Sequence, residues 1–338
     1  MKAIDVSQAL GMVLGQDLTR IVPGEFKGVA FKKGHIIKEE DIPMLRSMGK
    51  NNVYVMEIEA GQLHENDAAK ELARFVFQDE LLGTEAAEGK VNSKAHCHGL
   101  LKIDKERLLQ INMLDGLSLS TIHNNTPVQP GELVASAKII PLVLPQATID
   151  KVEKICGAGP LIKIVPFSVK KAGLIITGNE VYQGIIEDKF EGVITKKFEA
   201  LGSTVTQTVF LPDDVDRIAE EIKILSSSND IVFVTGGMSV DPDDVTPAAV
   251  KKAGAQVAVY GTPVLPGAMF MAAYLGDVPI LGIPACGMFS KVTVLDIILP
   301  LVLTGEKITR EYVASLGHGG LCRQCVGGCR YPHCSFAK

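Results

Sequence analysis

The sequence predicts an α/β fold, with a three-layer, mostly parallel sheet in residues 166–306, an N-terminal β-rich α+β region and a short Cys-rich tail. Three observations lead to this prediction. Short apolar runs such as 173–177 and 230–235 are typical of strands buried on both faces. Apolar residues at helical spacing follow such runs, for example in 187–201. Strands that alternate with helices form parallel sheets covered by helices on both faces.

The elements of this α/β region follow one another along the chain. Gly202 is a good helix stop after 187–201, Asp213 or Asp214 caps the next helix, and Thr246 caps a third, with proline at its first helical position. The predicted strands are 173–177, 204–210, 230–235, 257–260 and 279–283. The predicted helices are 187–201, 215–225, one that begins at Thr246-Pro247, and 288–303.

The parts on either side have weaker patterns. In the N-terminal region, residues 1–165, the segment 31–55 predicts strand, helix and strand. Residues 62–83 predict a helix, and 91–144 predict short strands separated by turns. The tail, residues 307–338, is the third predicted part.

Composition excludes some classes of protein. The chain has 338 residues, of which 46% are hydrophobic and 22% charged, so it can bury a sizeable core and is not disordered as a whole. The formal net charge is −5, which argues against nucleic-acid binding driven by bulk charge. There is no Trp and only 5% of residues are aromatic, so a base-stacking platform is not expected.

We find no targeting segment and predict a cytoplasmic protein without a membrane partner. Charged and polar residues among the first eight positions leave no apolar signal-peptide core. The uncharged window 257–276 is long enough to span a bilayer, but two glycines and two prolines would break a helix there. We interpret this window as strand, loop and packed helix.

Small polar residues follow the strands of the predicted sheet. They occupy 177–180, 212–214, 235–244 and 282–284. Sheets of this kind bind ligands in the crevice beyond the carboxyl ends of their strands. We therefore expect these turns to form one ligand site.

The loop 235–244 has the strongest pattern. Gly236 and Gly237 allow backbone N–H groups to approach an anion, and Thr235 and Ser239 add hydroxyl donors. Three aspartates follow: Asp241, Asp243 and Asp244. They would repel a phosphate unless a divalent cation lay between, and oxygen ligands suit Mg²⁺. The alternative is an ordinary strand–helix turn with capping aspartates.

The two neighbouring turns admit the same two interpretations. Glu180, beside the flexible Gly178, can hold a metal or a ligand hydroxyl, or can lie in a plain surface turn. Asp213 and Asp214 are either ligands or helix caps.

Together these turns resemble a known family, the molybdopterin-binding domain shared by molybdenum-insertion and molybdopterin-adenylylating proteins. The residues that carry the resemblance lie in the same order over about 140 residues. They are Thr177-Gly178-Asn179-Glu180 with Gly184 and Glu187-Asp188, Pro212-Asp213, 235–239 followed by 244–247, and Pro266-Gly267 with Gly282-Ile283-Pro284. Residues 31–54 also look like the segment that precedes this domain in the insertion proteins.

The resemblance implies a domain that binds the phosphate and pterin of molybdopterin or of its adenylylated form, with molybdate as a second substrate. It implies catalytic positions at Asp213 and Asp244, and Mg²⁺ ligands at Glu180 and Asp244. The implied cofactor-binding residues are Thr177, Gly178, Glu180, Asp188, Thr235, Gly236, Gly237, Ser239, Pro266, Gly267, Gly282 and Pro284. A homo-oligomer is expected.

The sequence also departs from the family pattern. Asn179 replaces the usual aspartate, Ala268 stands in place of a lysine, and Ala285-Cys286-Gly287 replaces Gly-Asn-Pro. Three functions therefore stay open. They are molybdenum insertion (with adenylyl transfer as a variant), a non-catalytic carrier or sensor of molybdopterin, and hydrolysis of ADP-ribose-type pyrophosphates. The last follows from a resemblance of 243–246 to the competence-damage-inducible family.

Two groups of metal-ligating side chains lie outside these turns. The tail carries Cys322, Cys325, Cys329 and Cys334, whose spacing fits a Zn²⁺ or Fe–S site, disulfide or redox chemistry, or uncommitted thiols. His96-Cys97-His98 would place both histidines on one face of a strand, as in a metal site, or would form a solvated strand end.

Overall fold

The computed structural model describes residues 2–22, 26–56, 58–77, 81–157, 159–239, 241–242 and 244–338. Contacts divide them into two compact units. The first comprises residues up to 96, 103–122 and 130–163, and the second comprises 97–102, 123–129 and 164–338.

This grouping differs from the predicted division at 165 and 306. Strands Gly99–Ile103 and Pro127–Val128 pair with each other, and a sheet joins them to Ile162–Pro166. The tail is not a separate part, because Phe336 and Ala337 are buried in the core of the second unit.

The first unit has the predicted α+β composition. Its strands are Lys2–Asp5, Val13–Leu14, Leu18–Val22, Phe26–Phe31, Asn52–Met56, Gln62–His64, Leu82–Gly83, Lys90–Lys94, Leu117–Thr121, Leu133–Ile139 and Val143–Pro145. Its helices are Val6–Gln8 (3-10), Asp41–Ser47, Glu65–Val76, Lys105–Asn112 and Gln146–Cys156. The strand, helix and strand predicted in 31–55 are confirmed.

Two predictions in this unit need correction. The helix predicted over 62–83 is shorter, because Gln62–His64 is a strand and the His64 ring accepts a hydrogen bond from the N–H of Asn66 at the helix start, at 3.2 Å. Residues 78–80 lie outside the described residues. The helix Lys105–Asn112 interrupts the region predicted as strands, and it begins where Asp104 accepts a hydrogen bond from the N–H of Arg107, at 3.0 Å.

A six-stranded sheet with helices on both faces forms the centre of the second unit, which confirms the predicted fold class. In spatial order its strands are Thr204–Leu211, Lys171–Thr177, Ile231–Thr235, Val278–Ile283, Met271–Leu275 and Gln256–Tyr260. The first four run parallel, Met271–Leu275 runs antiparallel to them, and Gln256–Tyr260, antiparallel to Met271–Leu275, runs in the same direction as the first four. The helices of the unit are Asn179–Tyr182, Phe190–Glu199, Val215–Ser228, Thr246–Lys252, Ala285–Met288 (3-10), Val294–Leu303 and Arg310–Ser315.

The side chains of the strands alternate between two cores. Ile176 and Phe233 pack on the face covered by helices Phe190–Glu199 and Val294–Leu303. Ile175 packs on the opposite face, which helices Val215–Ser228 and Thr246–Lys252 cover. Burial on both faces explains why these strands are apolar throughout.

The window 257–276 contains no helix, contrary to the prediction. Met271–Leu275 is a strand that pairs with Val278–Ile283 through a turn at Gly276, whose φ is +61°. The side chains of Met271, Ala272 and Ala273 are fully buried, and this burial between two layers accounts for the apolar composition. Among the described residues, no helix is long and apolar enough to cross a membrane.

The parallel strands end at the same level. Across the sheet, Thr177 lies opposite Leu211, Ile176 lies opposite Thr235, and Thr235 lies opposite Ile283. The turns that follow these strands therefore meet at one edge, as predicted.

Candidate functional site

A cavity of about 360 Å³ opens at this edge of the sheet. The residues that line it come from three turns: Gly236, Gly237, Met238, Ser239, Asp244, Leu265, Pro266, Gly267, Ala268, Met269, Ile283, Pro284, Ala285 and Cys286. Seven of the predicted site residues are in this set. The volume is within the range of small-molecule sites.

The turn after strand Ile231–Thr235 requires glycine. Gly236 and Gly237 have φ of +84° and +52°, in the left-handed region that other residues rarely adopt. A Cβ atom on Gly236 would lie 2.3 Å from the carbonyl oxygen of Thr177 and 2.6 Å from its hydroxyl. The two turns are therefore packed directly against each other.

Hydrogen bonds hold three successive carbonyl groups of this turn. Thr246 donates from its hydroxyl to the oxygen of Gly236 at 2.9 Å and from its N–H to the oxygen of Gly237 at 3.0 Å. The hydroxyl of Tyr260 donates to the oxygen of Met238 at 2.9 Å. In a trans peptide the next N–H points away from the carbonyl. The three N–H groups that follow therefore point away from Thr246 and Tyr260, in residues that line the cavity, which is an arrangement suited to an anion.

Asp244 supplies the charged side chain among the described lining residues. Its carboxylate accepts a hydrogen bond from the N–H of Asp241 at 3.0 Å, and its N–H donates to the carbonyl of Asp241 at 3.0 Å. Burial and the negative charge of Asp244 raise the pKa of the Tyr260 hydroxyl, which keeps it protonated as a donor. Asp243 lies outside the described residues.

Glu180 and Asp213 are not among the lining residues of the cavity. The N–H of Asn179 donates to the Asp213 carboxylate at 3.0 Å, and the N–H of Asp213 donates to the Asn179 side-chain oxygen at 3.3 Å. This reciprocal pair joins the turns after strands Lys171–Thr177 and Thr204–Leu211. Glu180 is exposed, and its carboxylate lies next to Gly178, whose φ is +137°.

Two aspartates act as helix caps. Asp188 accepts hydrogen bonds from the N–H groups of Phe190 and Glu191, both at 2.9 Å. Asp214, one of the two predicted caps, accepts them from the next helix. The role of Asp188 as a ligand stays a prediction. Its carboxylate already accepts these two hydrogen bonds from the helix.

Two threonine hydroxyls at the strand ends are buried. Thr177 is 4% exposed and Thr235 is fully buried, and the hydroxyl oxygen of each lacks a hydrogen-bond partner within the part of the chain that the structure describes. A buried polar group left unpaired costs about 1–3 kcal/mol. A polar ligand or water at this edge would remove that penalty.

Sequence reasoning missed the supporting roles of three residues that hold the site together. Thr246 was expected as a helix cap but is the first helical residue, with Val245 as the cap. Tyr260 reaches the loop from the edge strand, which nothing in the local sequence indicates. A Cβ atom on Gly282 would lie 2.4 Å from the sulfur of Met238, so this glycine makes room for Met238, and its predicted contact with the cofactor stays a prediction.

The structure bears in two ways on the residues that were predicted to bind a metal ion. Within the described ranges, no group of three or more His, Cys, Asp or Glu side chains is arranged to hold a metal ion. Mg²⁺ at a phosphate site typically uses one or two carboxylates together with the phosphate and water. Asp244, the one carboxylate among the lining residues that the structure describes, fits that smaller requirement.

His96-Cys97-His98 do not lie within a strand, so they lack the shared strand face on which the metal-site interpretation depended, and they lie next to a strand end as in the alternative interpretation. These residues form a bend between strands Lys90–Lys94 and Gly99–Ile103. The His98 ring packs edge-on against Phe167, with 4.9 Å between the ring centres. The four tail cysteines, by contrast, all line the same second cavity.

Comparisons with known families assign two segments. Residues 173–304 match the family described as a probable molybdopterin binding domain, and residues 3–57 match a domain of unknown function. The family match contains every lining residue of the cavity.

Curated relatives match over a short stretch. A protein of Archaeoglobus fulgidus is 38% identical over 80 residues, which are 24% of this chain and 35% of that protein. A CinA-like protein of Desulfosudis oleivorans is 38% identical over 82 residues, 24% of this chain and 20% of that one. This chain thus aligns with only about a third or less of these relatives' length.

Solved structures include one that covers most of the chain. The molybdopterin biosynthesis protein MoeA of Pyrococcus horikoshii has 13% identity, covers 90% of this chain and 74% of its own, and has a TM-score of 0.34. The molybdopterin biosynthesis enzyme MoaB of Thermus thermophilus has 18% identity, covers 41% and 98%, and has a TM-score of 0.35.

Proposed function

We propose, on the premise that residues 173–304 are a molybdopterin-binding domain, that this chain binds molybdopterin or its adenylylated form in the cavity and takes part in Mg²⁺-dependent insertion of molybdenum. One observation carries the proposal. The glycine turn of the matched segment has its carbonyls fixed from behind, so that its N–H groups are available to a phosphate at the cavity.

The lining residues suggest a role for each part of the ligand. The N–H groups of the glycine turn would bind the phosphate, with the Ser239 hydroxyl as a further donor. The flat pterin ring suits the apolar wall formed by Met238, Leu265 and Met269. Asp213 would keep the Asn179 turn in place through their two hydrogen bonds.

Charge makes Mg²⁺ important in this proposal. Neither Lys nor Arg is among the described lining residues, and Ala268 stands where the family has a lysine. Asp244 alone would therefore repel a phosphate. Asp244, with Glu180 as the second ligand that the family resemblance implies, would hold Mg²⁺, which when bound would neutralise the phosphate and polarise its oxygens.

Binding is tested with purified protein and molybdopterin, which is measured as its fluorescent oxidation product. We expect retention that increases with Mg²⁺ and that falls roughly tenfold, about 1.4 kcal/mol, in Asp244→Asn. Asp241→Asn is the matched control, because its side chain lies outside the cavity lining. Equal retention by wild type and Asp244→Asn at all Mg²⁺ concentrations contradicts the role of Asp244.

Turnover is tested separately, by adding molybdate and adenylylated molybdopterin to the same protein. Formation of molybdenum cofactor supports insertion. Tight binding without product identifies a carrier or sensor instead, the alternative favoured by the substitutions at Asn179, Ala268 and Cys286.

A second candidate function is hydrolysis of an ADP-ribose-type pyrophosphate. It is favoured by the 38% identity with the CinA-like protein. Release of AMP from ADP-ribose would support it, and no release by a preparation that binds molybdopterin would exclude it. Adenylyl transfer, a homo-oligomer and a cytoplasmic location remain predictions.

A further inference from the structure

The Cys-rich tail is anchored to the second unit at both ends. At its start, the N–H of Leu265 donates to the oxygen of Gly320, and the N–H of Cys322 donates to the oxygen of Leu265, both at 2.8 Å. Near its end, Phe336 is only 5% exposed and packs in the core. Between them, the Tyr331 hydroxyl donates to the backbone oxygen of Asp296 at 2.9 Å.

The anchored tail, together with Pro266 and residues 289–292, lines a second, open cavity of about 390 Å³. Four thiols line it: Cys322, Cys325, Cys329 and Cys334. Lys291 and Arg330 also line it, and no carboxylate is among its described lining residues. Pro266 belongs to the lining of both cavities, so the two lie side by side.

The arrangement of the thiols distinguishes between occupants. A structural Zn²⁺ needs four ligands that converge to about 2.3 Å from one point. The described residues contain no such group, and all four cysteines are free thiols rather than paired. Thiols spread around a cavity suit a [4Fe–4S] cluster, because such a cluster takes one thiolate on each of its irons and fills the space between them.

Charge and backbone geometry favour the same occupant. A cubane cluster with four thiolate ligands carries net negative charge, which Lys291 and Arg330 would offset. Between Cys325 and Cys329, Gly327 and Gly328 have φ of +88° and +113°. The N–H of Gly328 donates to the carbonyl oxygen of Cys325 at 3.2 Å, so the two glycines form the turn that returns the chain from Cys325 to Cys329.

We propose that Cys322, Cys325, Cys329 and Cys334 bind a [4Fe–4S] cluster in this cavity, one thiolate on each iron. A preformed cluster with four small thiolate ligands would load it by ligand exchange. Each cysteine sulfur forms a bond to iron as one small thiolate leaves, and the cysteine proton goes to the departing thiolate. No electron changes hands. The proposal is independent of the ligand in the first cavity.

The test measures iron and acid-labile sulfide per chain, on full-length protein prepared without oxygen and after treatment with the preformed cluster. We expect about four of each with the visible absorption of a cubane cluster. Zinc without sulfide would overturn the proposal. So would protein that keeps no iron while all four tail thiols react with a thiol reagent. Either result on the wild type decides the question even if a variant fails to fold.

Variants locate the cluster. Cys325→Ala and Cys329→Ala change exposed residues and are expected to lower bound iron to less than half. Cys97→Ala, outside the tail, is the matched control and is expected to leave iron unchanged. Iron lost equally in all three variants would contradict ligation by the tail.

Discussion

The two cavities of the second unit are similar in size and share Pro266, yet they are built in different ways. The first, at about 360 Å³, is lined by turns that follow sheet strands, with small and apolar side chains and one carboxylate. The second, at about 390 Å³, is lined by four thiols and two cations, mostly from a segment without helix or strand. Backbone geometry determines what the first can bind, whereas side-chain identity determines it for the second. Variants can therefore affect one cavity and leave the other intact.

The largest effect is expected from Phe336→Ala. Removing a buried phenyl group typically lowers the free energy of unfolding by about 3–5 kcal/mol. Because Phe336 anchors the tail, we also expect faster reaction of Cys334 with a thiol reagent. Urea unfolding measures the first effect and timed labelling the second.

Phe289→Ala is the control, since this ring also lines the tail cavity but is 78% exposed. Its expected effect on unfolding is within about 0.5 kcal/mol. Equal losses in the two variants would show that the tail does not depend on the core.

The next effect is expected from Gly236→Ala in the first cavity. The new Cβ would lie within 2.6 Å of two Thr177 atoms, in addition to backbone strain of about 1–3 kcal/mol. We expect loss of molybdopterin retention with unchanged iron content in the tail. Gly276→Ala controls for strain alone, since its φ is +61° and no atom lies within 4 Å of the new Cβ. Retention lost equally in both variants would argue against the close packing of the two turns.

A pair of tyrosines compares the two cavities directly. Tyr260 and Tyr331 each donate to a backbone carbonyl at 2.9 Å, the first behind the glycine turn and the second from the tail to helix Val294–Leu303. Each Tyr→Phe change is expected to cost about 0.5–1.5 kcal/mol of stability. Tyr260→Phe should weaken molybdopterin retention, and Tyr331→Phe should weaken iron retention. Either variant affecting both readouts would show that the cavities are coupled.

The smallest effect is expected at Cys286, whose thiol lines the first cavity. Burial raises its pKa, so less thiolate is present at a given pH than for an ordinary thiol. At pH 8 we expect iodoacetamide to modify it several-fold more slowly than the exposed Cys325 in cluster-free protein. The rate should continue to rise above the usual thiol pKa. Mass spectrometry of labelled peptides measures the rate of modification at each cysteine. Equal rates at Cys286 and Cys325 would contradict the expected slow reaction of Cys286.

Sequence patterns predicted the residues at the first cavity better than the hydrogen bonds that hold these residues in place. Parallel buried strands put Thr177 and Gly236 at one edge, and the structure places them in contact. The bond from Tyr260 to Met238 depends on the order of strands in the sheet, which local patterns do not determine. The role of Asp188 could not be decided from sequence for a different reason, since a carboxylate before a helix suits both a ligand and a cap.

The missed elements have physical causes as well. Strand Met271–Leu275 contains alanines and follows glycine and proline, so its β propensity is low, and pairing on both sides determines its conformation. In the tail, cysteine spacing identified the thiols, whereas their common cavity depends on the backbone bonds at Leu265.

The three fixed carbonyls of the glycine turn have a consequence for the kinetics of binding. Immobilising a backbone residue costs about 1–2 kcal/mol of conformational entropy, and here folding meets that requirement before any ligand arrives. Ligand association should then need no loop ordering, so that the encounter rate is limited by diffusion and desolvation rather than by a conformational search.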